Sequence, residues 1–207
     1  MIALFLALSM VGQAPQAPFT QFTYCREYPS NTAYEKQCVQ LKPDGAGTSR
    51  IKRREAAESA APLTLSPSAR AKFLSLLAAT RNLADRRKYE SKKNVANLGR
   101  KHITLELGSE TREAEFNYSE LKEVTALSTF FDAILNQQAI VADLEIAAQY
   151  ERLSIPERLE QLESELKVGR IGDPPGLIPA LDRIIQNERI LAYAREHAQR
   201  LKSQVSK

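Results

Sequence analysis

Twofold alternation of apolar and polar residues marks the first folded stretch of the chain. In "FTYCREY", Phe22, Tyr24 and Tyr28 fall on one face; in "YEKQCVQL", Val39 and Leu41 share a face and Cys38 takes the other. The intervening "PSNTA" has the Pro, Ser and Asn of a turn, so the two runs predict an antiparallel hairpin. Pairing Tyr28 with Glu35 sets Phe22 opposite Leu41, Tyr24 opposite Val39 and Cys25 opposite Cys38. One register satisfies the apolar pairs and the cysteines together. "KPDG" supplies the next turn, and residues 46–56 are expected to return as a third strand. Ile51 is its only large apolar residue. With Arg50, Lys52, Arg53 and Arg54 beside it, this strand is expected at a charge-protected sheet edge.

Helical periodicity follows in "LTLSPSARAKFLSLLAAT". Ser66 can accept from the exposed amides of a helix start, Pro67 sits where its missing N–H costs nothing, and Phe73, Leu74, Leu77 and Ala78 mark the buried stripe. "KHITLELGSETREAEFNY" returns to alternation, with Ile103, Leu105 and Leu107 leading to the turn "GSE" and Ala114 and Phe116 coming back. From Ser119 to Leu153 there is neither Gly nor Pro, which allows a helix of about thirty-five residues. Its apolar positions cover more than one stripe. Such a helix has to be covered on several sides, which predicts a sheet over its first half and other helices over its second. Ser154 and Pro156 begin a shorter helix carrying Leu159, Leu162 and Leu166. "RIGDPPGL" then breaks the chain, and a single last helix is expected from Ile178 to Val205.

The predicted class is α+β: a small antiparallel sheet packed on helices, followed by a C-terminal helical appendage of one long helix and two further ones. The expected division is a body over residues 18–117 and a helical region over 118–207 that completes the core and extends into a helical hairpin or bundle. Residues 1–17 read as a secretory signal peptide. Ile2 to Val11 is an apolar run interrupted only by Ser9, too short for the ~30 Å hydrocarbon layer, and Gly12 and Ala14 offer small side chains for cleavage. The expected location is therefore periplasmic or secreted, with no integral membrane span after signal removal. In that oxidising space the two cysteines are expected to form a Cys25–Cys38 bridge, leaving neither as nucleophile or metal ligand.

Charge changes this picture in one place. The chain is +4 overall, but residues 50–101 carry fourteen Lys/Arg against four Asp/Glu, and residues 102–207 carry twelve against eighteen. Such segregation holds an acidic partner or lets the two halves attract each other. The candidate anionic-partner patch is Arg50, Lys52, Arg53, Arg54, Arg86, Arg87, Lys88, Lys92 and Lys93, suited to an envelope polymer or lipid headgroups. Tyr89 is the only aromatic between Arg81 and Lys101, which argues against single-stranded nucleic acid as the ligand.

Catalytic chemistry is poorly represented. The histidines are His102 and His197, and no HExxH, CxxC, GxSxG or phosphate-cradling glycine loop occurs. His197 reads as a solvated residue on a polar helix face; His102 can approach an acidic residue of the neighbouring strand. The carboxylates of "ERLEQLESELK" have the spacing of a solvated face with i,i+4 pairing. No cofactor, metal or catalytic residue is assigned, and the chain is expected not to be an enzyme.

The succession "LSPSARAKFLSLLAAT", "KHITLELGSETREAEF" and "SELKEVTALSTFFDAIL" resembles small exported bacterial α+β domains such as the emfourin-type metalloprotease inhibitors, over residues 20 to 140. That resemblance implies inhibition of a thermolysin-like protease. The Gly-rich opening strand of that group is absent, the helical tail is additional, and no binding residue carries over. The leading expectation is an exported non-catalytic protein that binds a protein partner or self-associates through residues 118–207. Secreted or periplasmic protease inhibition is the alternative, and binding of an anionic envelope component through residues 50–101 is a second one.

Overall fold

The computed structural model describes residues 19–84 and 89–206. The leader assigned to residues 1–17 lies outside them, as do Arg86, Arg87 and Lys88. The fold is α+β: one antiparallel six-stranded sheet and five α-helices. The strands are β1 (Gln21–Glu27), β2 (Tyr34–Leu41), β3 (Ala46–Arg53), β4 (Ser59–Thr64), β5 (Arg100–Leu107) and β6 (Glu110–Phe116), ordered β4-β3-β2-β1-β5-β6. The expected register holds: Phe22 faces Leu41, Tyr24 faces Val39 and Cys25 faces Cys38, whose sulfurs are bonded across a Cα separation of 4.1 Å. Tyr28 N–H donates to the Glu35 carbonyl at 2.9 Å. Alternation along the ladder then makes Cys25 and Cys38 a non-hydrogen-bonded pair, the closer of the two kinds.

The third strand is not an edge. A sixth strand, β4, covers it, so Arg50 and its neighbours lie one strand in. β4 reads "SAAPLT", short and nearly all exposed, with Pro62 unable to donate to a further strand. That composition has no alternation to detect, and it blunts the edge by the missing donor.

Helix α1 (Pro67–Ala79) begins as the sequence indicates, with the Ser66 hydroxyl accepting from Ala69 N–H at 3.2 Å. Its buried face is Ala69, Phe73 and Leu77; Ala78 is exposed and Leu74 only partly covered. Helix α2 (Lys122–Tyr150) crosses the same side of the sheet. Phe22 of β1, Phe73 of α1 and Phe131 of α2 meet with ring centroids 4.7 to 5.3 Å apart, and this junction anchors the first core cluster.

The second half of α2 belongs to another cluster, shared with α3 (Ile155–Lys167), α4 (Ile178–Gln186) and α5 (Ala192–Val205). α3 runs back along α2, with Asn136 at Glu165 and Arg158 at Asp143 and Glu151. α4 runs forward again, placing Arg183 at Glu145, and α5 returns with Lys202 at Asp182. The appendage is a four-helix, up-down-up-down bundle into which the long helix enters as one member.

The single helix expected over 178–205 is thus two. No Gly or Pro marks the break. Asn187 makes it, its side-chain oxygen accepting from Arg189 N–H at 3.1 Å and its carbonyl from Ile190 N–H at 3.0 Å, so local bonds replace helical ones. The turn also buries Ile190 in the bundle and lets α5 seal it with Ala194, Ala198, Leu201 and Val205.

Bundle and body are joined at Asp173, 2% exposed. Its carboxylate accepts from Ser66 N–H at 2.8 Å and from the Ser66 hydroxyl at 2.6 Å, at the N-terminus of α1 where a negative charge is favoured. Gln137 of α2 clamps its backbone, donating to the Asp173 carbonyl and accepting from its N–H, both at 2.8 Å. Gly172 fits because a Cβ there would stand 2.8 Å from the Ile134 backbone nitrogen. Asp173→Ala is expected to cost about 2 to 3 kcal/mol, the range for losing hydrogen bonds to a charged group and stranding their donors. Urea unfolding measures it, and a loss below about 0.5 kcal/mol would remove this joint from the account.

Candidate functional site

Both packed helices, α1 and α2, lie on one side of the sheet, so among the described residues its other face is bare. β-strand alternation sends Phe22, Tyr24, Val39, Leu41, Ile103 and Leu105 to the core. It sends Cys25, Cys38, Arg50, His102 and Glu115 the other way, as one row of directly paired positions across β3, β2, β1, β5 and β6. Glu115 is held by Arg100 at 2.5 Å, and His102 Nδ1 stands 3.9 Å from its other oxygen. The approach of His102 to an acidic neighbour is the one the sequence allowed.

Alternation also separates the basic residues that adjoin in sequence. Arg50 and Lys52 lie on the bare face, and Lys52 donates to the Ala56 carbonyl. Arg53 points to the helix side, ion-paired with Asp143 of α2 and stacked over the Tyr34 ring. Arg54 donates to the carbonyls of Thr32 and Pro29, closing the first hairpin turn. Lys93 pairs with Glu120 at 2.6 Å, while Lys92 is exposed. The described members of the run therefore occupy several places rather than one continuous patch. Two of them, Arg53 and Lys93, are neutralised by acids from the second half of the chain, the mutual attraction that the charge segregation permitted.

Apolar surface concentrates elsewhere. Beyond the sheet, α2 presents Ile146 and Tyr150 at i and i+4, and Leu153 stands in the turn after the helix; they are 46%, 72% and 82% exposed. Leu191 and Tyr193, also exposed, open α5 at the same distal end of the bundle. Beside them a cleft of about 480 Å³ separates α2 from α4. Leu144, Ala148, Ala180 and Ile184 line it, and the Glu145–Arg183 ion pair borders it.

His197 is not solvated. Its side chain is 14% exposed and Nε2 lies 3.0 Å from Glu163 of α3. Glu163 is held below the usual carboxylate range, first by its hydrogen bond from Lys167 and then by that from His197. The remaining titratable seam lies between sheet and α2, where Tyr24 donates to Asp132 at 2.7 Å and Arg26 pairs with the same carboxylate at 3.1 Å. These contacts are structural, and among the described residues no group of His, Cys, Asp and Glu could hold a metal ion. No helix among the described residues is long and apolar enough to cross a membrane.

Burial raises the Tyr24 hydroxyl well above its ordinary pKa, with the Asp132 charge adding to the effect, and burial pushes Tyr28 up to about 12. A phenol that holds its proton more tightly when folded stabilises the fold fully below pH 10.0, and that contribution is lost as pH rises through the folded value. Lys101, lowered by burial, has the opposite sign, its penalty fading as pH approaches 10.5. Thermal midpoints are expected to fall steeply between pH 10 and 12, and less steeply in Tyr28→Phe. Identical slopes in the two proteins would contradict the assignment. Comparison of the sequence with protein-family models returned no match, and comparison with curated proteins returned none either.

Proposed function

We propose that the chain is an exported, non-catalytic protein that assembles through the distal end of its helical bundle, with a second copy of itself as the occupant. The observation that carries this reading is the exposed group Ile146, Tyr150 and Leu153, large apolar side chains at the end of α2 and in the turn after it, beyond the point where Asp143 meets Arg53 of the sheet. Contiguous apolar surface of this kind marks contact sites. Two copies of one patch can meet about a twofold axis, each covering the other's apolar run, which is an isologous contact. The Cys25–Cys38 bridge fits the oxidising compartment that export provides.

Burying Tyr150 and Leu153 contributes about 1.5 to 3 kcal/mol each, so replacing both by Ser is expected to weaken association by at least about a hundredfold. Sedimentation velocity over a wide concentration range reads this directly. The expected result is a concentration-dependent dimer for the native chain and a folded monomer for the double variant. A native chain that stays monomeric throughout, or a double variant that associates equally well, would defeat the proposal.

A further inference from the structure

We propose that the Cys25–Cys38 bridge is a thiol–disulfide exchange site that accepts two electrons from a dithiol. The bridge sits on the face of the sheet turned away from α1 and α2, and no described helix lies over it. Cys25 is partly exposed and Cys38 is 6% exposed, so Cys25 is the half of the bridge that an incoming thiolate meets first. The sheet register then sets a cation beside one sulfur and an imidazole beside the other. Arg50 is the direct cross-strand partner of Cys38, and His102 is the direct partner of Cys25. Side chains facing each other in this way have Cβ atoms about 4.5 to 5.5 Å apart.

Neither the guanidinium nor the imidazole is fully engaged elsewhere. Among the described residues Arg50 has no ion-pair partner, and the enclosed Nε2 of His102 has no hydrogen-bond partner. Glu115, which faces His102, is also bound by Arg100. On the other flank Glu27 and Lys36 satisfy each other at 3.0 Å. Lys52 is one pair further along, Glu113 is one pair beyond Glu115 on β6, and Glu106 lies toward the far end of β5. Arg50 is therefore the charged group paired directly with the bridge, which lowers the Cys38 thiol pKa and makes that sulfur the better leaving group.

In the first step a thiolate of the dithiol attacks Cys25 Sγ, the Cys25–Cys38 bond breaks, and Cys38 departs as a thiolate beside Arg50. In the second, the dithiol's other thiolate attacks the dithiol sulfur held in the mixed disulfide, and Cys25 departs as a thiolate beside the His102 imidazole. The dithiol leaves as a disulfide, and the protein keeps both electrons as two thiols. β1 remains paired to β2 and β5 through its backbone, so the reduced protein keeps its sheet.

The test is reduction of the native protein at neutral pH by millimolar dithiothreitol, and in parallel by a reduced Cys-X-X-Cys peptide, with thiols counted over time. Fast native reduction is expected, slowed about tenfold in Arg50→Ala as the leaving thiolate loses its cation, and slowed in His102→Ala as the other loses its imidazole neighbour. Reduction by the peptide as well as by dithiothreitol assigns the site to protein dithiols; reduction by dithiothreitol alone assigns it to small ones. In Cys38→Ser the free Cys25 thiol is expected to alkylate with a pKa below the ordinary value of about 8.5, rising in the added presence of His102→Ala. A bridge that resists both reductants until urea unfolds the chain, or variants reduced at the native rate, would overturn the proposal.

Discussion

A helix that is apolar around most of its circumference cannot stand alone, and α2 is such a helix over nearly its whole length. Its 29 residues span about 43 Å, further than the sheet extends beneath it. Val124, Leu127, Phe131 and Leu135 therefore enter one core with the sheet and α1, while Ile140, Leu144 and Ala147 enter another with α3, α4 and α5. The chain has two cores because one element demands two kinds of cover. Asp173 and Gln137 fasten the change-over point, tying the start of the bundle to the start of α1 through buried hydrogen bonds. Where cover ends, at Ile146, Tyr150 and Leu153, the same demand appears as exposed apolar surface.

The sheet obeys the complementary rule. It is covered on one side only, so alternation divides every strand between a core of Phe, Tyr, Val, Leu and Ile and a polar outer layer. That division disperses the basic run around Arg50. Consecutive residues of a strand cannot share a face, and Arg53 is drawn to Asp143 on the helix side while Arg50 stays outside with the disulfide. The acid-rich second half of the chain answers part of the basic middle: Asp143 with Arg53, Glu120 with Lys93 and Glu115 with Arg100. Long-range charge segregation in the sequence becomes short-range pairing in the fold.

Much of this was legible from the chain alone, and for a physical reason. Alternation, periodicity, caps and turns are local, so the first hairpin with its cysteine pairing, the Ser66 start of α1, the second hairpin and the two-sided cover of α2 follow from residues close together in sequence. β4 is not legible because "SAAPLT" lacks alternation, and without it β3 reads as an edge. The split at Asn187 was missed because a helix and a turn compete there on nearly equal local terms, and burial of Ile190 decides between them. His197 looked solvated because its carboxylate partner, Glu163, comes from another helix.

By itself, then, the sequence determined the class of fold, the order of most elements and the register that bonds Cys25 to Cys38. These depend on side-chain periods of two and 3.6 and on nearest pairings across a tight turn. The tertiary structure alone decided which residues stand beside that bridge, since Arg50 and His102 reach it through strand pairings set by the whole sheet. It also decided which apolar residues of α2 are left in solvent, because that depends on where the sheet stops and not on the helix that overhangs it.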